Sequence, residues 1–336
     1  MQQLSTAFQS LIKEFCKGKT NIKLTIATLA DGEKNIHVFG ETGEEPNKNY
    51  LYEIGSITKT FTASLLAKYI HEGKMSLDDS ISKYIEGLGE GYYPTLKRLA
   101  THTAGYGYLP ASLWDGIRML LLSSFSGSRN GGVLPECLQI NTDKMKTLLL
   151  ENKKENKDYP WAYGNFSFGL LGYAIGQVSG KGYYDAMNEF LTHELEMPNS
   201  YTGINPSKNL PGFNKKNKNI GNWNFEKTIT ASAGDISSTA EDMLIYAQKH
   251  MNEELPYLGL THQRYATAVK DKSCSGLAWI MTGENNQVIC HNGGTGAFDS
   301  LLIIDKQKKL AYVVLSNYLI NPNKLFTTVL DEIKRL

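Results

Sequence analysis

Glu53-Ile54-Gly55-Ser56-Ile57-Thr58-Lys59-Thr60-Phe61-Thr62 is the stretch on which the reading of this chain turns. A glycine is followed by Ser-x-x-Lys, and the string runs straight into an apolar-periodic segment. Phe61, Leu65, Leu66, Tyr69 and Ile70 recur at helical spacing, and Gly73 is a C-terminal stop. The pattern puts Ser56 at a helix N-terminus and Lys59 one turn later on the same face. A serine hydroxyl is a weak nucleophile until a neighbour takes its proton. Lysine, at an ordinary pKa of about 10.4, is a poor base at neutral pH. At the positive end of a helix and partly desolvated, its charged form is disfavoured and the neutral amine becomes available. The same helix end favours negative charge developing on an attacked carbonyl oxygen.

The string is not specific by itself. Ser10-Leu11-Ile12-Lys13 and Ser80-Ile81-Ser82-Lys83 match it too. A helix cap followed by a solvated lysine produces the same letters. What separates Ser56 from the other two is its company further along the chain.

Working outward, Leu4, Phe8, Leu11, Ile12 and Phe15 trace one face of an N-terminal helix. Ile22–Leu29 and Asn35–Phe39 are predicted strands around the turn Ala30-Asp31-Gly32-Glu33. Ser76-Leu77-Asp78-Asp79 opens a short helical piece ending near Tyr84. From about Gly87 to Trp223 the pattern is less regular. Helices are expected over Thr95–Ala100, Leu113–Leu122, Thr142–Glu151, Phe168–Val178 and Tyr183–Leu195. Ser238-x-x-Glu241 is a capping box opening a helix through His250. Strands follow at Leu277–Met281, Val288–His291, Ser300–Asp305 and Leu310–Ser316, with a closing helix from about Asn323. Strands at both ends of the chain around a helical middle predict an α/β (α+β) fold, one antiparallel sheet built from the termini and flanked by helices. The expected division is an α/β domain of residues 1–86 and 224–336, a mostly helical insertion domain of 87–223, and an active site between them.

Composition narrows the function. The chain has 336 residues, of which 41% are hydrophobic and 21% charged, and a net charge of +1. That size buries a large core, and that charge balance argues against nucleic acid or an anionic membrane as partner. The Lys/Asn-rich runs Glu151–Lys157 and Lys208–Asn222 lack interleaved aromatics and read as solvated loops. No apolar run approaches the roughly 20 residues a membrane span needs. No basic segment with an apolar core after it opens the chain, so no signal peptide is visible; the expected compartment is the cytoplasm, or an exported one if a leader precedes this sequence. Cys16, Cys137, Cys274 and Cys290 lack metal-like spacing and are read as free thiols. Neither a cofactor nor a metal is expected.

Two further stretches carry chemistry. Tyr163-Gly164-Asn165 is the only Tyr-x-Asn in a chain with 19 tyrosines, and it stands just before an apolar helix. Cys290-His291-Asn292-Gly293-Gly294-Thr295-Gly296 ends a strand in a Gly-rich turn, where glycines let a ligand approach the backbone and leave N–H groups free to meet it.

In this order the three segments resemble the serine β-lactamase and penicillin-binding-protein superfamily, nearest to the branch of class C β-lactamases, DD-carboxypeptidases, D-aminopeptidases and related esterases. The resemblance covers nearly the whole chain. It is extended by Leu99-Ala100-Thr101-His102-Thr103-Ala104-Gly105, Leu170-Leu171-Gly172, Gly234–Asp242, Gly276-Leu277-Ala278-Trp279 and Ser316-Asn317. It implies a β-lactamase/transpeptidase-like fold and an acyl-enzyme, with Ser56 as nucleophile and Lys59 as its proton-accepting partner. Tyr163 would be a second general base that also protonates the leaving group. Asn165 would hold the substrate amide or carbonyl and orient Lys59. The N–H groups of Ser56 and Gly294 would form the oxyanion hole, beside Gly293. His102 and Trp279 are read as structural.

One departure bears on specificity. The branch's β-lactamases carry Lys-Thr-Gly where this chain has His291-Asn292-Gly293, and no Lys-x-Gly occurs in the sequence. A histidine there is expected to keep a donor for the substrate while being mostly neutral near pH 7. His-x-Gly variants look more like esterases and aminopeptidases. The expected function is therefore a serine hydrolase of an ester or amide, a carboxylesterase or D-amino-acid peptidase, acting on a small molecule or peptide. The alternatives are a true β-lactamase or DD-carboxypeptidase, and, from other classes, a non-catalytic penicillin-binding sensor or a helical adaptor. The intact Ser56, Lys59, Tyr163 and Asn165 set argues against a sensor, and the strand-rich C-terminus against an adaptor. The sequence leaves the oligomeric state open.

Overall fold

The computed structural model describes residues 4–107, 133–203, 205, 208–267, 273–283 and 285–335. The helix expected over Leu113–Leu122 lies outside the described residues. The chain opens with helix α1 (Thr6–Cys16), where the Ser5 hydroxyl accepts the Phe8 N–H and Phe8, Leu11, Ile12 and Phe15 form the buried face. Strands β1 (Leu24–Ala30), β2 (Glu33–Gly40), β3 (Gly43–Glu45) and β4 (Leu51–Glu53) follow, then helix α2 (Thr58–His71). The middle of the chain supplies α3 (Leu96–Ala100), α4 (Thr142–Glu151), α5 (Asn165–Ser179), α6 (Gly182–Glu189) and the two-residue strand β5 (Tyr201–Thr202). Then come β6 (Ile236–Thr239), α7 (Ala240–Asn252), α8 (Leu258–Thr261), β7 (Ala266–Thr267), β8 (Cys274–Ser275) and β9 (Ile280–Thr282). Three long strands, β10 (Val288–Gly294), β11 (Asp299–Asp305) and β12 (Leu310–Ser316), precede the closing helix α9 (Pro322–Arg335).

The main sheet is antiparallel, in the order β3-β2-β1-β12-β11-β10-β9-β8-β7. The chain ends meet in it, with Leu24 opposite Ser316 and Ala30 opposite Leu310. Every residue of β11 and β12 is buried, because helices cover both faces. On one face α1 and α9 pack Phe8, Leu11, Leu325 and Val329 against Ile26, Tyr312 and Val314. On the other, α2 and α7 pack Phe61, Leu65, Met243 and Leu244 against Ala27, Val313 and Leu315. Two satisfied faces on one sheet make a three-layer sandwich.

A second, small sheet in the order β4-β6-β5 seats the start of α2. Leu51 pairs with Thr239, and the Ile54 N–H donates to the Ile236 carbonyl at 3.0 Å. The Ile236 N–H in turn donates to the Thr58 hydroxyl at 3.1 Å. This sheet was not expected, because strands of two to four residues are too short to show an alternating pattern. It also displaces the expected cap of α7. Ser238 belongs to β6 and bonds the Ser200 hydroxyl at 2.8 Å, so Thr239 is the N-cap and accepts the Asp242 N–H.

Candidate active site

The Ser56 turn is built by its neighbours. Gly55 holds φ +51 and begins a single 3-10 turn, Gly55–Ile57, which passes directly into α2. A Cβ on Gly55 would lie 2.6 Å from the Gly294 nitrogen, and one on Gly293 would lie 1.9 Å from the Ile54 oxygen. Strand β10 and the Ser56 turn therefore meet backbone to backbone, a contact that only glycine on both sides permits. The Ser300 hydroxyl closes the same seam by donating to the Ile54 carbonyl at 2.8 Å.

Ser56 is half-buried, whereas Lys59 has no exposed surface. The Lys59 amine donates to the Ser56 Oγ at 3.1 Å and to the Ala233 carbonyl at 2.8 Å. It stands 4.8 Å from the centroid of the Tyr163 ring and 5.9 Å from that of Phe168. Burial holds its pKa well below the ordinary lysine value. The charged form loses its water and gains one carbonyl, one hydroxyl and aromatic faces in exchange, so the neutral amine is favoured.

Tyr163 stands one residue before the extended Gly164 that caps α5, and Asn165 is the first residue of that helix. A Cβ at Gly164 would lie 2.0 Å from the Gly107 oxygen, so this corner too has room only for glycine. Helix α5 packs on α2, which brings Tyr163 over Lys59. The Tyr163 and His291 rings lie 6.2 Å apart, so the third segment arrives at the same place. The two other Ser-x-x-Lys strings go elsewhere. Ser10 is exposed on α1 and bonds the Thr6 carbonyl, and Ser80 caps the 3-10 turn Ile81–Tyr84.

His291 departs from expectation. Its Nδ1 is 2.6 Å from the Asn292 carbonyl oxygen. A carbonyl only accepts, so the single proton of the neutral ring is on Nδ1 and Nε2 is left with a lone pair. Burial first, and then repulsion from Lys59 in whatever fraction that amine is charged, push its pKa down to about 3. The expected donor for substrate is thus held by the backbone, and acidification to pH 6 leaves the ring uncharged.

Sequence reasoning missed the Ala233 carbonyl, which carries no residue-type signal because it is main chain. It also missed two buried carboxyls flanking the Ser56 turn. Burial raises Glu53 to about 7, although Thr295, Asn222 and the Trp223 N–H bond it. Asp235 rises to about 8, again mainly by burial, eased by Tyr184 and the Gly203 N–H and reinforced by Glu53. Among the described residues, no group of three or more His, Cys, Asp and Glu is placed to hold a metal ion. No helix there is long and apolar enough to cross a membrane.

A buried lysine on a half-buried serine, at the edge of an antiparallel sheet sandwiched by helices, defines the serine hydrolases built on the β-lactamase scaffold. The chain belongs to the β-lactamase family: the family description "Beta-lactamase" matches residues 8–328. Solved structures share the fold throughout. A class C β-lactamase in complex with cefoxitin has a TM-score of 0.78 at 22% identity, covering 98% of both chains. A β-lactamase/D-alanine carboxypeptidase from Pseudomonas syringae has a TM-score of 0.77 at 20% identity, covering 96% of both chains. Among curated proteins, a β-lactamase of Providencia stuartii is 24% identical over 251 residues, which span 72% of this chain but only 58% of that one. The D-alanyl-D-alanine-carboxypeptidase/endopeptidase AmpH of Escherichia coli K12 is 24% identical over 351 residues, 95% of this chain and 84% of that one.

Proposed function

We propose that the chain hydrolyses uncharged esters or amides through an acyl-enzyme on Ser56. The observation that carries this is the fully buried Lys59 amine, 3.1 Å from the Ser56 Oγ and held neutral by burial. Ser56 Oγ attacks the acyl carbon while its proton passes to Lys59. Tyr163 returns that proton to the departing alcohol or amine. Water then attacks the acyl-enzyme, gives its proton to the same pair, and Ser56 leaves with it restored. Asn165 holds the substrate carbonyl or amide, and the N–H groups of Ser56 and Gly294 meet the oxyanion.

His291 supports the choice of uncharged substrates. A lysine beside a substrate carboxylate contributes roughly 1.5–3 kcal/mol as a charge-assisted bond, against about 1 kcal/mol for a neutral one. His291, neutral and with its N–H on Asn292, gives a carboxylate neither. An uncharged ester loses nothing by the exchange. The relatives named for β-lactam and D-alanyl-D-alanine chemistry keep the anionic-substrate reading as the rival. Mass spectrometry after brief exposure to a p-nitrophenyl ester should find one acyl group on the Ser56 peptide, with turnover in steady state. A stable adduct without turnover would make the chain a sensor, and no adduct on Ser56 would end the proposal.

A further inference from the structure

We propose that His102, which touches none of the reacting atoms, is the positioning residue that holds Tyr163 in register with Lys59. Two hydrogen bonds carry the inference, one on each side of the tyrosine. The Ala162 N–H donates to the His102 carbonyl at 2.9 Å, and the Gly164 N–H donates to His102 Nδ1 at 3.2 Å. Tyr163 is thus clamped fore and aft by a single residue. The imidazole also packs on the tyrosine, with ring centroids 4.7 Å apart, and is wedged against Phe168 and Trp161. His102 itself is buried at φ +59, in the left-handed region that few non-glycine residues adopt and that histidine, like asparagine and aspartate, tolerates better than most. A left-handed residue bonded through both its carbonyl and its ring is over-determined by its surroundings.

The clamp works only with a neutral ring. Nδ1 accepts, so the proton is on Nε2, and a protonated ring would turn an N–H toward the Gly164 N–H. Burial, with Lys59 and His291 nearby, keeps the ring uncharged. Nε2 is buried and has no hydrogen-bond partner among the described residues, so nothing else fixes this tautomer. The consequence rests on the proposed role of Tyr163: without the Nδ1 acceptor, Gly164 loses its partner and the tyrosine ring is free to leave Lys59. A displacement of an ångström at a proton-transferring group costs about 100-fold in rate.

The test is His102→Phe against His102→Asn, read on a p-nitrophenyl ester and on fluorophosphonate labelling of Ser56. Asparagine tolerates the left-handed backbone and places Oδ1 where Nδ1 stands; phenylalanine fills the space without an acceptor. His102→Phe should lower kcat and the labelling rate by about 100-fold with KM within about twofold, and His102→Asn should recover most of the loss. The acid limb of the kcat profile should shift in His102→Phe and return in His102→Asn. A folded His102→Phe with wild-type kcat, or a His102→Asn as slow as it, would overturn the clamp. Should His102→Phe not fold, nitrogen-15 NMR of the histidine-labelled wild type decides. His102 should show a proton on Nε2 and a bare Nδ1 that persists below pH 6, and a proton on Nδ1 would overturn the inference. Wild-type protein that labels but does not turn over would strike the proposed function, leaving the clamp to the labelling rates and the tautomer.

Discussion

Ser56, in the turn that leads into helix α2, and Ser64, within that helix, both stand in polar company, and only Ser64 has the residue types of a triad around it. At Ser64 the hydroxyl lies 3.2 Å from His250 Nε2, His250 Nδ1 lies 2.8 Å from His262 Nε2, and Glu253 stands 3.5 Å beyond at His262 Nδ1. At Ser56, two turns away, there is a lysine, a tyrosine and a neutral histidine. Yet the Ser64 chain is sealed. Ser64, His250 and Tyr246 have no exposed surface, and the Ser64 hydroxyl already donates to the Thr60 carbonyl at 2.9 Å. Tyr246 completes the packing by donating to Thr60 Oγ1 and stacking on Phe61. Ser56 instead accepts from the Lys59 amine and keeps part of its surface open. A relay of the right residue types is a structural network when its proton has somewhere to rest. A site is recognised by reach and by a base kept neutral without a full set of partners.

The sharpest way to break this comparison is to delete both hydroxyls. Ser56→Ala, or Lys59→Ala, should lower ester turnover by about 10⁴-fold or more, as loss of a nucleophile or its base does elsewhere. Ser64→Ala should leave kcat within about threefold and cost on the order of 1–3 kcal/mol of stability, since it strands His250 in the core. Steady-state kinetics and thermal melts of the three variants suffice, and a Ser64→Ala with lost turnover would reverse the assignment of the two clusters.

A smaller effect concerns charge at the open cluster. His291→Lys should move the ester-to-cephalosporin ratio of kcat/KM by about tenfold toward the cephalosporin. Lowering the pH from 7.5 to 6 should leave the wild-type ratio unchanged, because a ring with a pKa of about 3 does not charge in that range. An ester-to-cephalosporin ratio that falls on acidification would mean that His291 protonates and that its N–H is not held by Asn292.

The smallest effect is thermodynamic and lies at the buried Asp235 carboxyl, next to the Ile236 that pairs with Ile54. Asp235 has a folded pKa of about 8 against an ordinary value of 3.8, so the folded state binds a proton that the unfolded state has released. Its protonated form is stabilised at low pH, and that contribution is lost as pH rises from about 4 through 8. The neutral histidines act the other way: His102 and His250 resist charging when folded, so acid below their ordinary value of 6.5 favours unfolding. Asp235→Asn should match wild type near pH 4.5 and melt higher at pH 8, by on the order of 2–4 °C. A gap between the two proteins that does not widen with pH would show that Asp235 does not titrate as its burial dictates.

The long strands of the main sheet and the long helices were legible in the sequence because each repeats its signal, whereas the short β3, β7 and β8 were not expected and the strand expected over Leu277–Met281 is reduced to Ile280–Thr282. Phe8, Leu11, Ile12 and Phe15 mark one helix face, and β10, β11 and β12 are apolar runs bounded by turns. Ser56, Lys59, Tyr163 and His291 were found by their order, and the fold brings them together. What was not legible is what geometry alone decides. The short strands β4, β5 and β6 exist only because they pair with one another. The cap of α7 moved to Thr239 because the small sheet took Ser238. The direction of the His291 proton follows from where the Asn292 carbonyl points, which no residue letter encodes.

The seam between Gly55 and Gly294 has one more consequence. Because both sides there are bare main chain in contact, the spacing beside Ser56 is set by how closely two backbones can pack and not by any replaceable side chain. Mutation has no small adjustment to offer at Gly55: the first carbon added would press on the Gly294 nitrogen and force the whole β10 edge outward. Change on this face is therefore confined to the surrounding side chains, the residue at 291 among them, while the two glycines stay as they are.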